Sequence, residues 1–139
     1  MPPTPKQQEI LDKLVWDQKN LIAEYSMGGI AVYFDDFPVT EGHMIFVPLD
    51  PKSINIAFNK ALAIGEKKVE DREWDGFNIG MNCGEAAGQT VQWPHIHLIP
   101  RMKGDCKDPS GGIRGVIPKF QNWTAAAKYK KTRKAKGIK

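Results

Sequence analysis

The chain has 139 residues, the size that one hydrophobic core serves, so a single domain is expected. No apolar run approaches the roughly 20 residues that cross a bilayer, and the opening MPPTPKQQEILDKL lacks the basic start, apolar stretch and cleavage site of a secretory leader. A soluble cytoplasmic protein with no membrane partner is therefore expected, and the formal charge of +4 belongs to one end, since seven of the 20 Lys and Arg residues lie between Lys128 and Lys139. Cys83 and Cys106 fit neither a disulfide framework nor a metal knuckle and read as reduced thiols.

Thr4-Pro5 followed by Ile10, Leu11, Leu14 and Val15 predicts an N-capped amphipathic helix. Two β-prone runs, Leu21 to Tyr25 and Ile30 to Phe34, flank Ser-Met-Gly-Gly and predict a hairpin. A third strand is expected over His43 to Val47, closed by Pro48, which has no N–H for a ladder. From Ser53, the spacing of Ile54, Phe58, Ala61, Leu62 and Val69 predicts the main helix, running to about Arg72, with Gly65 a weak point costing ~1 kcal/mol against Ala. Two more strands, Gly76 to Asn82 and Val91 to Ile99, flank the Gly-rich loop Cys83 to Thr90. Strands, a helix and strands again, without regular βαβ alternation, give an α+β class with a mostly antiparallel sheet. Beyond Arg101 the chain reads as loop, and from Ala125 as a polar basic extension.

Alternation along the last strand puts Trp93, His95 and His97 on one face, with Pro94, Ile96 and Leu98 on the other. Two imidazoles sharing a buried face are costly to explain as packing alone. Neutral imidazole attacks phosphorus and charged imidazole donates to phosphate oxygens, so an anionic substrate suits them. Gly88 permits close backbone approach, and Asn82, Gln89 and Thr90 bring neutral hydrogen-bonding groups.

The stretch Gly88-Gln89-Thr90-Val91-Gln92-Trp93-Pro94-His95-Ile96-His97-Leu98-Ile99 resembles the signature of the histidine-triad (HIT) family, in which G-Q-[ST]-V precedes three alternating histidines. Ala31 to Asp35 with Pro38, then Glu41 to Pro48, is similar to that family's opening hairpin, and Gly111 to Pro118 to an extension found in microbial members. The resemblance covers roughly residues 20 to 118. It leaves the first helix and the basic tail unexplained, so the chain reads as three parts: an N-terminal helix over 1–19, a HIT domain over 20–118 and a basic extension over 119–139. The resemblance implies a HIT-like fold, an antiparallel sheet with a main packed helix; the strands read from the residues make the sheet five-stranded, and the N-terminal helix is extra.

The resemblance further implies that His95 attacks the α-phosphorus of a nucleotide and that His97 stabilises the phosphate oxygens. Asp35 would read ribose hydroxyls; Asn82, Gly88, Gln89 and Thr90 would meet phosphate; His43 would sit near the nucleotide. Neither a cofactor nor a metal is required. Trp93 stands where the first histidine is usual, and Pro94 where an apolar strand residue is usual. A Pro-His pair at the nucleophile resembles the nucleotidyltransferase branch, so transfer to an acceptor other than water stays open, as does a weakened nucleotide-binding module. Metal chemistry with His43, His95 and His97 as zinc ligands is a further alternative. Arg101, Lys103 and Arg114 read as solvated cations or contacts to outer phosphates, and Trp16, Trp74 and Trp123 as packing. Expected partners are a nucleotide and a second copy of the chain in a homodimer, with the basic tail directed at nucleic acid or an acidic surface.

Overall fold

The structure, a computed structural model, describes residues 2–122 and Gly137. Trp123 and the basic tail lie outside the described residues. The chain divides into two units, Met1–Met102 and Lys103–Lys139, each described by itself.

In the first unit, helix α1 spans Pro5–Lys13. Thr4 closes it with a capping box: its hydroxyl accepts from the Gln7 N–H at 3.1 Å, and its own N–H donates to Gln7 Oε1 at 3.0 Å. Pro5 occupies the first turn, where a missing N–H costs nothing. Four strands follow: β1 (Ile30–Phe34), β2 (Met44–Pro48), β3 (Gly76–Gly80) and β4 (Ile96–Arg101). They form one antiparallel sheet in the order β1-β2-β4-β3. Helix α2, Ile54–Glu70, lies between β2 and β3 in the chain.

The sheet has four strands, not the expected five, because Leu21 to Tyr25 is not a strand. Leu21 makes only an isolated bridge to Tyr33. Beyond it the chain closes on itself: the N–H groups of Tyr25 and Ser26 both donate to the Ile22 carbonyl. Ser26 Oγ also donates to that carbonyl at 2.8 Å and accepts from the Val32 N–H at 2.9 Å. A side chain thus takes the ladder position that a neighbouring strand would fill. The last strand is also shorter at its start than expected, beginning at Ile96 instead of Val91. Its register with β2 runs Met44↔Leu98, Ile45↔His97 and Phe46↔Ile96. Two steps further it would set Pro94 against Pro48, and neither has an N–H to continue the ladder.

Side-chain alternation sorts the strands onto two apolar layers. One face carries Ile30, Val32, Met44, Phe46, Ile96 and Leu98 against Ala57, Ala61 and Ile64 of α2. The helical residues recur at i, i+4 and i+7, the stripe an amphipathic helix buries. The opposite face carries Ala31, Tyr33, Ile45 and Val47, covered by Leu11 and Leu49, with Ile10, Leu14, Trp16 and Trp93 packed at its margin. His97 follows the parity of Ile45, its partner in register, so it emerges on this second face.

Gly65 has a reason the sequence does not disclose. A Cβ placed there would lie 2.8–2.9 Å from three ring carbons of Phe77, so α2 reaches β3 only because the position is bare. Gly65→Ala is therefore expected to destabilise by ~1–3 kcal/mol through overpacking, although Ala is the better helix former. Denaturant unfolding checks this, and a more stable variant would contradict the close approach.

Among the described residues, the second unit contains two short 3-10 turns, Gly112–Val116 and Pro118–Phe120. Asp108 organises it: Oδ1 accepts from the Ser110 N–H at 3.0 Å, Oδ2 from Asn122 Nδ2 at 3.3 Å, and the Asp108 carbonyl from Gln121 Nε2 at 3.3 Å. Among the described residues, no helix is long and apolar enough to cross a membrane.

Candidate active site

His95 sits one residue before β4, and its orientation comes from a backbone group two residues upstream. His95 Nδ1 lies 2.8 Å from the Trp93 carbonyl oxygen. A carbonyl only accepts, so Nδ1 carries a proton, and in the neutral ring Nε2 keeps its lone pair. That ring borders a cavity of about 450 Å³, lined also by His97, Asp35, Asn82, Gly88, Gln89 and Thr90. The cavity brings together every expected site residue except His43. A larger cavity of about 740 Å³ beside α1 is lined by neutral residues such as Gln7, Gln18, Ser26 and Met27 and holds no titratable group, so volume alone misplaces the chemistry.

His43 is buried behind His97, with 3% of its side chain exposed. It does not line the cavity; it contacts the histidine that does. Its Nδ1 accepts from the Val39 N–H at 3.1 Å, which leaves the proton of neutral His43 on Nε2. Nε2 then donates to His97 Nδ1 at 2.9 Å. With Nδ1 of His97 accepting, its own proton lies on Nε2. A single backbone amide thus fixes two tautomers in series, making His97 a neutral donor. Asp35 stands beside the pair, with Oδ2 3.6 Å from His43 Nε2 and 4.0 Å from His97 Nδ1. Its Oδ1 accepts from the Phe37 N–H at 2.8 Å, the turn-forming bond an aspartate offers before Pro38.

Burial sets the protonation of this pair. It lowers the His43 pKa from 6.5, opposed by the Asp35 charge. His97 is pushed down to about 4, first by burial, then by the His95 and His43 rings, with Asp35 opposing. A folded value below the unfolded 6.5 means the unfolded chain takes up protons first as pH falls. The stabilisation by neutral His97 is complete above pH 6.5 and is lost as pH falls through about 4. Denaturant unfolding should show stability declining across that window, and less steeply in His97→Asn; equal slopes would contradict it.

Asp35 Oδ2, His43 Nε2 and His97 Nδ1 lie within 4.8 Å of one another, close enough to consider a metal ion. The converging trio includes Asp35 in place of the His95 of the alternative read from the sequence. Its hydrogen bonding opposes ligation. A ligating histidine donates from its second ring nitrogen, whereas the second nitrogen of His43 faces the Val39 N–H. The donor set fits a hydrogen-bond relay.

The loop before His95 is held by its own glutamine. Gln89 Oε1 accepts from the Gly84 N–H at 2.8 Å, and Nε2 donates to the carbonyls of Val91 and Gln92 at 3.1 and 3.2 Å. Gln89 therefore borders the cavity while its amide braces the loop. Gly88 ends a short 3-10 turn at φ +91°, a left-handed conformation that side chains resist. Asn82 and Thr90 are exposed at the cavity. Arg101 Nη1 donates to Asn78 Oδ1 at 2.8 Å across the β3–β4 pair, whereas Lys103 and Arg114 belong to the second unit.

Trp16 is the residue that reading the sequence missed. Expected to serve packing alone, it lines the cavity, meets the His95 ring edge-on at 4.9 Å and stacks on Tyr33 at 6.0 Å. Tyr33 is wholly buried; its hydroxyl has no partner among the described residues, and burial pushes its pKa to about 12. The signal was strand parity: Tyr33, Ile45 and His97 share a face, so an aromatic covering Tyr33 must border the histidines.

Comparison with known proteins places these features in a family. The HIT domain matches residues 25–104, more than half of the chain, and the protein belongs to the HIT domain family. It is 32% identical over 89 residues to an adenylylsulfatase of Arabidopsis thaliana, covering 58% of this chain and only 45% of that protein. It is 30% identical over 105 residues to a HIT-like protein of Methanocaldococcus jannaschii, covering 70% of this chain and 74% of that one. The solved structure of a HIT family protein from Bacillus anthracis shares the fold, with a TM-score of 0.55 and 21% identity over 96% of this chain and 95% of that one. Trp16 lies outside the matched segment.

Proposed function

We propose that the protein is a nucleotide phosphohydrolase acting at the α-phosphate of a nucleoside polyphosphate, dinucleoside polyphosphate or phosphoramidate. The observation that carries this reading is the 2.8 Å bond from His95 Nδ1 to the Trp93 carbonyl, which makes Nε2 the nitrogen that bears the lone pair of the neutral ring, beside the cavity. The Nε2 lone pair attacks phosphorus, a P–N bond forms, and the bond to the leaving group breaks with its electron pair. Water then attacks the same phosphorus, the P–N bond breaks, and a nucleoside monophosphate departs. His97 donates from Nε2 to a phosphate oxygen, where developing negative charge is met by a fixed dipole. Asp35 Oδ2 reads a ribose hydroxyl, and Asn82, Gly88 and Thr90 meet the phosphates. In this reading Trp93 replaces the first histidine of the triad and supplies its carbonyl.

An enzyme of this class is supported by family membership and by the hydrolase name of the Arabidopsis relative. Incubating the protein with dinucleoside polyphosphates, nucleoside phosphoramidates and an adenylyl sulfate, with and without chelator, tests it. Chelator-insensitive release of a nucleoside monophosphate is the expected result. Product only when a sugar phosphate is supplied assigns a transferase, and no turnover of any probe rejects hydrolysis.

A further inference from the structure

Resting on the reading of His95 as nucleophile, we infer that Trp93 is a positioning residue whose indole N–H replaces a ladder hydrogen bond that Pro94 cannot make. Trp93 Nε1 donates to the Pro48 carbonyl at 2.7 Å. Leu49 gives its N–H to the Gly29 carbonyl on the β1 side, so by strand alternation the Pro48 carbonyl points toward β4. Continuing the β2–β4 register past Phe46↔Ile96 sets residue 94 opposite Pro48, in the position whose N–H would donate to that carbonyl. Residue 94 is proline and has no such donor.

The consequence reaches the nucleophile. Residues 93–95 precede β4, so the β2–β4 ladder does not hold the Trp93 carbonyl that orients His95. The indole bond ties that segment to the end of β2 instead, while the indole body packs against the layer formed by Ala31, Tyr33, Ile45 and Val47. The two departures from the family pattern, Trp93 and Pro94, therefore compensate each other. One removes a main-chain donor, and the other supplies a side-chain donor to the same carbonyl oxygen. A histidine at 93 has a shorter reach, and phenylalanine fills similar space without the N–H.

The test compares the full chain with Trp93→Phe, Pro94→Ile and the double variant. Two measurements are made: the His95 ring tautomer by 15N NMR, and kcat and KM on whichever phosphoramidate or dinucleoside polyphosphate the wild type hydrolyses. The wild-type His95 ring should hold its proton on Nδ1. Trp93→Phe should show an Nδ1/Nε2 mixture, with kcat lower by about 10-fold and KM within about 2-fold. In the Pro94→Ile background, where residue 94 has an N–H, the same substitution should cost less than about 3-fold. An unchanged tautomer in Trp93→Phe, or an equal loss in both backgrounds, overturns the inference. If the wild type hydrolyses none of the probes, hydrolysis fails, while the tautomer comparison still decides the role of Trp93. If Trp93→Phe does not fold, the wild-type indole decides: its N–H should exchange with deuterium at least about 10-fold more slowly than a free indole, and free-indole exchange overturns the inference.

Discussion

His95→Ala is expected to lower kcat by about 10³-fold or more while leaving nucleotide affinity within about 3-fold. Among the described residues at the cavity, His95 is the imidazole whose Nδ1 proton is committed to a carbonyl, so that in the neutral ring Nε2 is the oriented nitrogen suited to attack. Its Nδ1 is committed to the Trp93 carbonyl, whereas Nδ1 of His97 is committed to His43 with the remaining proton on Nε2. Removing His95 deletes the nucleophile but leaves Asp35, Asn82 and Thr90, the groups assigned to ribose and phosphates, in place. Steady-state kinetics with equilibrium binding of a nucleoside monophosphate separates the two effects. Retention of a tenth of the wild-type rate would mean that attack comes from elsewhere.

The second large effect is expected at a residue that does not line the cavity. His43→Ala should cost ~2–4 kcal/mol of stability, because it removes a buried ring bonded at both nitrogens and leaves a void. It should also lower kcat/KM by about 10-fold or more, since His97 Nδ1 loses its donor and its tautomer is no longer fixed. Unfolding and kinetics on the same preparation check both. Lost stability with intact kcat/KM would show that His43 serves packing alone.

Much of the site was legible because it rests on two short-range regularities. Strand parity set the two histidines on one face, and the run from Gly88 to Ile99 carried the family signature into the loop that borders the cavity. The N-cap at Thr4, the interior of α2 and the presence of two strands after it were legible from equally local patterns. What was not legible depended on partners distant in the chain. Leu21 to Tyr25 has strand-like composition, but Ser26 captures its ladder groups, which no propensity discloses. Gly65 looks like a flaw until Phe77 is placed beside it. His43 carries the same chemistry as a ligand-contacting histidine, and only burial and the Val39 amide turn it into a support for His97. Trp16 sits in the segment preceding the family match; strand parity says that whatever aromatic covers Tyr33 borders the histidines, but no motif marks Trp16 as that aromatic.

The measurement that bears most directly on the account is mass analysis of the protein quenched with base during turnover, since P–N bonds to histidine are acid-labile. The account predicts a nucleoside monophosphate adduct on the peptide containing His95, localised by fragmentation to that residue, absent from His95→Ala and decaying as product appears. An active enzyme that carries no adduct at any time, or carries it on His97, would contradict it.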